Sequence, residues 1–239
     1  MSGHSKWSKV KHQKATTDVV KGQAFTRASR AITMAVREGG GTTDPETNFK
    51  LRLAIEKAKE VNMPKENIKH AIDRAAGAGS GDLIETLYEG FGPYGVAIII
   101  SSVTDNRQRT VSAVKNILER HGGTLAAPGA VTYLFSHVGV ITIPKSSHTY
   151  EEIMEKAIDA GASDIVETDD VYEIFTSSAD LSKAKEHLEQ VGMAIDRADL
   201  VYRTQTPVAV APGTLSAVVS LVIAIEELDD VQAVYTNIT

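Results

Sequence analysis

The spacing of apolar residues changes near residue 80 of this 239-residue chain, and no other feature limits its possible folds as strongly. Before that point apolar residues recur at intervals of three or four, which is the spacing of amphipathic helices. From residue 82 onward, short strand-like runs alternate with helical segments. A glycine-rich stretch at 77–81 separates the two regions and has the composition of a flexible linker. The chain is therefore predicted to begin with an all-helical domain and to continue as an α+β structure.

Three helices are predicted in the N-terminal region. Each has one apolar stripe and keeps its charged residues outside that stripe. Glycines at 39–41 end the first helix, Asp44 followed by Pro45 is predicted to cap the second, and Pro64 starts the third. The three stripes are Phe25, Ala28, Ile32, Ala35 and Val36; Leu51, Ala54, Ile55, Ala58 and Val61; and Ile68, Ala71, Ile72 and Ala75.

The remaining residues are predicted to form two α+β domains. Strands at 83–91 and 96–103 precede a helix that Asp105 caps. The segment 131–203 has the order strand, strand, helix, strand, strand, helix, strand, with its first strand at 131–135. The final helix and strand lack a sheet of their own, so we expect them to return to the sheet begun at residue 82. The predicted fold class is α+β, with an N-terminal helical domain and two ferredoxin-like sandwiches, one inserted in the other; the domains are 1–79, 80–130 plus 206–239, and 131–205.

Composition removes several classes of protein. The chain has no cysteine, which excludes disulfide scaffolds, thiolate metal sites, iron–sulfur clusters and cysteine nucleophiles. Its longest apolar runs are far shorter than the roughly 20 residues that span a bilayer, so no membrane partner is predicted. The first residues are polar and charged, unlike a secretory signal. A cytoplasmic location is predicted.

Charge is distributed unevenly along the chain. Residues 1–79 hold 15 Lys and Arg against 8 Asp and Glu, whereas residues 80–239 hold 10 against 23. Seven cations face a single acid within the first 30 residues. We expect a polyanion to bind this end, because the acidic remainder would repel the same polyanion. A basic face that serves only solubility is the alternative.

The candidate nucleic-acid-binding residues all lie in this basic region. Trp7 either packs the N-terminal segment onto the helical domain or stacks on an unpaired base. The histidines either hydrogen-bond phosphate or face solvent. Contacts of this kind position a nucleic acid without reading its sequence. The candidates are His4, Lys6, Trp7, Lys9, Lys11, His12, Lys14, Lys21, Arg27 and Arg30.

No group of residues has the pattern of a catalytic or metal site. The glycine run at 39–41 lacks the preceding strand and the spacing of a phosphate-binding loop. No two histidines stand four apart, so no cofactor or metal is predicted. Asp229-Asp230 is interpreted as a turn or cap. The prediction is a protein that is not an enzyme; a hydrolase or nucleotide-dependent enzyme with a site between domains, and a pure protein-interaction adaptor, are the alternatives.

Motifs along nearly the whole chain resemble the YebC/PmpR family. The resemblance implies a cytoplasmic three-domain protein without catalytic activity. Family members are described as probable DNA-binding transcriptional regulators, and relatives, including a mitochondrial translational activator of cytochrome c oxidase, are viewed as ribosome-associated translation factors. The motifs are Gly3-His4-Ser5-Lys6-Trp7, Lys11-His12, Asp44-Pro45, Asn62-Met63-Pro64, Glu89-Gly90-Phe91-Gly92-Pro93, Thr104-Asp105-Asn106-Arg107, His121-Gly122-Gly123 and Asp229-Asp230-Val231-Gln232.

The nucleic acid partner stays open between duplex DNA and ribosomal RNA, with the ribosome itself as a possible site of action. No helix-turn-helix with a polar base-reading face is apparent, which weakens sequence-specific promoter recognition as the function. The acidic domains are predicted to face a protein partner.

Overall fold

The computed structural model describes residues 18–77 and 83–238. The described chain forms seven α-helices and two four-stranded antiparallel sheets, which confirms the predicted α+β fold class. Helices and strands are numbered below in chain order. None of the described helices combines the length and the hydropathy needed to cross a bilayer.

The N-terminal domain consists of three helices packed around a small apolar core. Ile32, Val36, Leu51 and Ala58 are fully buried in it, and Met63 is nearly so. The predicted stripes therefore form this core, and alanines between the larger side chains let the helices approach closely. Val61 is the exception: it was predicted to be buried but is exposed, because it lies at the C-terminal cap of its helix. The helices are α1 (Asp18–Glu38), α2 (Phe49–Glu60) and α3 (Lys65–Ala76).

The start of α2 differs from the prediction. Asn48, not Asp44, caps this helix: its side-chain oxygen accepts a hydrogen bond from the Leu51 amide at 3.0 Å. The amide nitrogen of Asn48 also donates to the Ala35 carbonyl of α1 at 2.9 Å. Asp44 instead accepts from the Glu46 amide in the preceding turn. A buried asparagine can cap one helix and bind another at once, and a carboxylate cannot donate.

The first sheet is completed by the C-terminal part of the chain. Its strand order is β3-β1-β2-β8, and all neighbours are antiparallel. Strand β2 is central and almost wholly buried, while α4 and α7 pack on the sheet and on each other. The elements are β1 (Ile84–Phe91), β2 (Ala97–Thr104), α4 (Arg107–Arg120), β3 (Thr124–Leu125), α7 (Pro212–Glu226) and β8 (Val231–Thr236).

The inserted domain has the strand order β5-β6-β4-β7, which together with its βαββαβ sequence is the ferredoxin-like arrangement. Among the described residues, 134–207 form one compact unit, and 18–133 with 208–238 form the other. The elements of the inserted domain are β4 (Phe135–Pro144), α5 (Tyr150–Asp159), β5 (Asp164–Glu167), β6 (Val171–Ser177), α6 (Leu181–Gln190) and β7 (Arg197–Thr204).

One predicted strand is absent. Residues 131–135 were expected to be extended, but Thr132–Leu134 form a 3₁₀ turn and β4 begins at Phe135. The buried carboxylate of Glu89 accepts hydrogen bonds from the amides of Gly129, Val131 and Thr132 at 2.6–2.9 Å. Because these amides are bound to a side chain, they cannot join a strand ladder.

Candidate nucleic-acid interface

Three of the predicted nucleic-acid-binding residues lie on α1 within the described part of the chain. Lys21 is exposed, whereas Arg27 and Arg30 are half-buried. The other predicted residues fall outside the described residues; they are His4, Lys6, Trp7, Lys9, Lys11, His12 and Lys14.

Arg30 contacts the acidic segment 226–230, which links α7 to β8. Its Nη1 donates to the Asp229 carbonyl at 2.6 Å and lies 2.8 Å from Oδ1 of Asp230. The Arg30 and Asp230 side chains are only 18% and 10% exposed. An ion pair this well buried is costly to break, because each charge would be left without a partner. Arg30 therefore fixes α1 to the first α/β domain.

Asp230 is the centre of a wider polar network. Nη2 of Arg109 lies 3.0–3.1 Å from both carboxylate oxygens, and the Thr110 hydroxyl donates at 2.6 Å. Burial alone would raise the pKa of Asp230, but the hydrogen bonds from Thr110 and Arg109 and the charges of Arg30 and Arg109 lower it overall. The carboxylate is thus held in its charged form. An open cavity of about 360 Å³ lies beside it, between α1 and α4.

Arg27 and Gln23 face the same acidic segment. Gln23 donates from Nε2 to the Glu227 carbonyl at 3.3 Å. Burial lowers the pKa of Arg27, although Glu226 and Asp229 favour its charged form. Nε of Arg27 is buried, and no described residue provides it with a hydrogen-bond partner. This side of α1 is therefore covered by the 226–230 segment.

The exposed cations of the helical domain lie elsewhere. Lys50, at the start of α2, is exposed but pairs with Glu38. Besides Lys21, the other exposed cations are on α3 and at the end of α2, and none of these has a hydrogen-bond or ion-pair partner among the described residues. Lys65 and Lys69 stand four residues apart and so share one face of α3. The additional exposed cations are Lys59, Lys65, Lys69 and Arg74. These cations do not stand out in the sequence, because Glu66 and Asp73 lie between them and reduce the local net positive charge.

The structure also changes two assignments around α4. Asn106, not Asp105, caps this helix by accepting from the Arg109 amide at 3.0 Å. Asp105 instead pairs with the Arg109 side chain at 2.7 Å. Asp229 and Asp230 do lie in a turn, as interpreted from the sequence, but the Asp230 side chain has the additional role of joining three elements. No local spacing could reveal this, since 121 residues separate Asp230 from Arg109.

A metal site is not assembled by the described residues: no three of their His, Asp or Glu side chains are grouped so that they could hold an ion. The pair formed by Asp105 and Arg109 is exposed and lines the cavity beside Thr110, whose hydroxyl donates to Asp230.

Known proteins resemble this chain over its full length. The family model for the TACO1/YebC protein N-terminal domain matches residues 5–78, and that for the TACO1/YebC second and third domain matches residues 83–238. A probable transcriptional regulatory protein of Persephonella marina is 47% identical over 240 residues, covering 99% of this chain and 95% of that protein. Another of the same description, from Aquifex aeolicus, is 43% identical over 239 residues, covering 99% and 95%.

The fold agrees with an experimental structure. The crystal structure of a conserved hypothetical protein, Aq1575 from Aquifex aeolicus, superposes with a TM-score of 0.84 at 40% sequence identity, covering 95% of this chain and 93% of that one. The two family models together span both the helical domain and the α/β domains. The chain therefore belongs to the TACO1/YebC family.

Proposed function

We propose that this protein is a non-enzymatic regulator of gene expression that binds nucleic acid through its N-terminal segment and helical domain. Relatives described as probable transcriptional regulatory proteins match it along its whole length, which supports the regulatory role. Duplex DNA is the first target we propose, with transcription as the regulated step.

The proposal rests on the positions of the cations of the helical domain, some of which are exposed while others face the acidic segment 226–230. Lys21, Lys65, Lys69 and Arg74 are exposed and have no partner among the described residues, so they can meet phosphates without breaking an existing contact. The arginines Arg27 and Arg30 face the acidic segment instead. We therefore place the phosphate contacts on the exposed cations together with Lys6, Lys9, Lys11 and Lys14.

A second candidate is a translation factor that binds ribosomal RNA. Lysines are the majority of the exposed cations, and a lysine ammonium binds phosphate as a point charge on either kind of nucleic acid. Such contacts carry no sequence information, which suits a structured RNA surface as well as a promoter.

Binding to duplex DNA, structured ribosomal RNA and whole ribosomes should be measured at several salt concentrations. If the four N-terminal lysines together with Lys21, Lys65, Lys69 and Arg74 neutralise phosphates of duplex DNA, the slope of log affinity against log salt is about −7. Two charge-reversal variants are compared with the wild type: one with Lys6, Lys9, Lys11 and Lys14 changed to Glu, and one with Lys65→Glu and Lys69→Glu. The matched control carries Arg120→Glu and Lys183→Glu, which reverse two exposed cations outside the helical domain.

Both helical-domain variants should lose affinity and reduce the salt slope, while the control should keep them. A sequence preference for duplex DNA that survives raised salt supports transcriptional control. Preference for ribosomes or ribosomal RNA, lost in the same variants, supports the translation factor. Unchanged binding in both variants, or turnover of a small substrate without nucleic acid, contradicts the proposal.

A further inference from the structure

A groove on the inserted domain lies between α5 and the edge strand β5. It has a volume of about 230 Å³ and is lined by Tyr150, Met154, Ile158, Ala162, Ser163, Asp164 and Ile165. This is smaller than the roughly 300–1,000 Å³ typical of small-molecule sites. Its size suits one or two side chains of another protein better than a cofactor.

The helix that forms one wall is apolar on two faces. Ile153 and Ala157 are buried against the sheet, as the helix of a two-layer sandwich requires. A second stripe at intervals of four is left in solvent: Tyr150, Met154 and Ile158 are 37%, 42% and 62% exposed. The other helix of this domain, α6, buries Leu181, Ala184 and Leu188 and follows the usual one-sided pattern. Tyr150 of this outer stripe still packs on the Tyr172 ring, with 5.8 Å between the ring centroids, so Met154 and Ile158 are its most exposed members.

The charge around the groove restricts what can bind there. Residues 134–207 hold six Lys and Arg against fourteen Asp and Glu, a net charge of −8. On α5, Glu151 and Asp159 are exposed and have no partner among the described residues. Phosphate-bearing ligands, anionic lipids and a second copy of this acidic domain would all be repelled. A positively charged polypeptide would be attracted.

We propose that the groove between α5 and β5 docks a basic segment of a partner protein, which inserts apolar side chains between Met154 and Ile158 while its cations face Glu151 and Asp159. The apolar contact would supply most of the affinity, and the charges would speed association and select the partner. The contacts proposed for the helical domain, on Lys21, Lys65, Lys69 and Arg74, lie on the other compact unit of the described residues.

The Met154 methyl group allows a direct test in the full-length protein. The chain has five methionines, of which Met63 and Met193 are buried and serve as internal references. With methionine methyl groups labelled with ¹³C, the protein is titrated with a synthetic amphipathic peptide of leucine and lysine. Two further peptides replace all leucines by serine or all lysines by glutamate. The variant Ile158→Glu alters the groove, and Val191→Glu is the control at another exposed apolar position on this domain.

The leucine–lysine peptide should shift the Met154 signal saturably and leave the reference signals in place. Ile158→Glu should weaken binding by about tenfold or more, and Val191→Glu should leave it unchanged. A milder variant, Ile158→Ser, should show the same direction if the glutamate disturbs folding.

An equal shift of the Met154 signal with the serine peptide or with the glutamate peptide would overturn the inference. Unchanged affinity in both Ile158 variants would also overturn it, as would a Met154 shift that depends on protein concentration without any peptide. A Met154 shift on addition of a DNA or RNA oligonucleotide would also contradict it. Loss of nucleic acid binding in the lysine variants of the helical domain would bear only on the proposed function.

Discussion

The two α/β domains use buried polar groups in different ways. In the first, Glu89, Asp230 and Asn237 bind groups that are 40 or more residues away in sequence, including the segment 129–132 and helix α1. In the inserted domain, buried Thr168 and Thr176 bind backbone groups within three residues. The first domain is thus where these buried polar side chains join distant parts of the chain, whereas Thr168 and Thr176 of the inserted domain make local bonds.

The largest effect should follow from removing the Asp230 carboxylate. Asp230→Ala would leave Arg30 and Thr110 without their buried partner, and we expect the free energy of unfolding to fall by about 3–5 kcal/mol. Asp229→Ala is the matched control, because that side chain is exposed, and should cost about 0.5 kcal/mol or less. Urea denaturation measures both. Equal losses in the two variants would show that the Asp230 network does not hold the domains together.

Glu89→Gln should give the next largest effect. The carboxylate accepts from three backbone amides, whereas the glutamine side chain turns an NH₂ group toward some of them. We expect a loss of about 2–3 kcal/mol in the free energy of unfolding.

Glu85→Gln on the same strand is the control for Glu89→Gln. Burial and a hydrogen bond with Glu38 raise the pKa of Glu85, so neutralising it should be harmless or stabilising. A similar loss in both variants would mean that strand β1 is merely intolerant of substitution.

Acid should destabilise the first domain through the same carboxylates. Burial would raise the pKa of Glu89, but its hydrogen bonds lower it overall, as they do for Asp230. Because folding depresses both pKa values, the stabilisation is complete above the ordinary values of 3.8 for Asp and 4.5 for Glu and is lost as pH falls below them. Unfolding curves measured between about pH 6 and about pH 2 should therefore show a loss of stability that steepens at the acid end, and this loss should be smaller in Glu89→Gln than in the wild type. An identical acid slope in the variant would contradict this assignment.

The smallest effect is expected in the inserted domain. Thr168 closes a tight turn by donating to the Val171 carbonyl at 2.7 Å. Thr168→Val keeps the shape and removes this bond and the one that the Thr168 hydroxyl oxygen accepts from the Val171 amide at 3.2 Å, so a loss of about 1 kcal/mol is expected in urea denaturation. A loss as large as that of Asp230→Ala would show that buried polar groups contribute equally to stability in the two domains.

Local patterns in the sequence predict most of the fold. The stripe containing Ile32 and Val36 and the apolar run of β2 identify their elements because the helix and strand periods differ. The strand expected at 131–135 fails because Glu89, some 40 residues earlier, binds its amides. The basic run around Arg30 predicts a contact with phosphate. In the folded chain Arg30 pairs with Asp230, which lies 200 residues later in the sequence. Polar contacts between residues far apart in the sequence could not be predicted from the sequence alone.

The return of β8 to pair with β2 fixes the order in which the nascent chain can fold. Residues 231–236 must emerge before β2 gains its second neighbour, whereas every strand of the inserted domain is available by residue 204. During that interval β2 presents an apolar edge with unpaired backbone groups, the kind of surface on which chains associate wrongly. Translation that terminated before β8 would release a chain that contains every strand of the inserted domain but whose first sheet lacks β8 and is prone to aggregate.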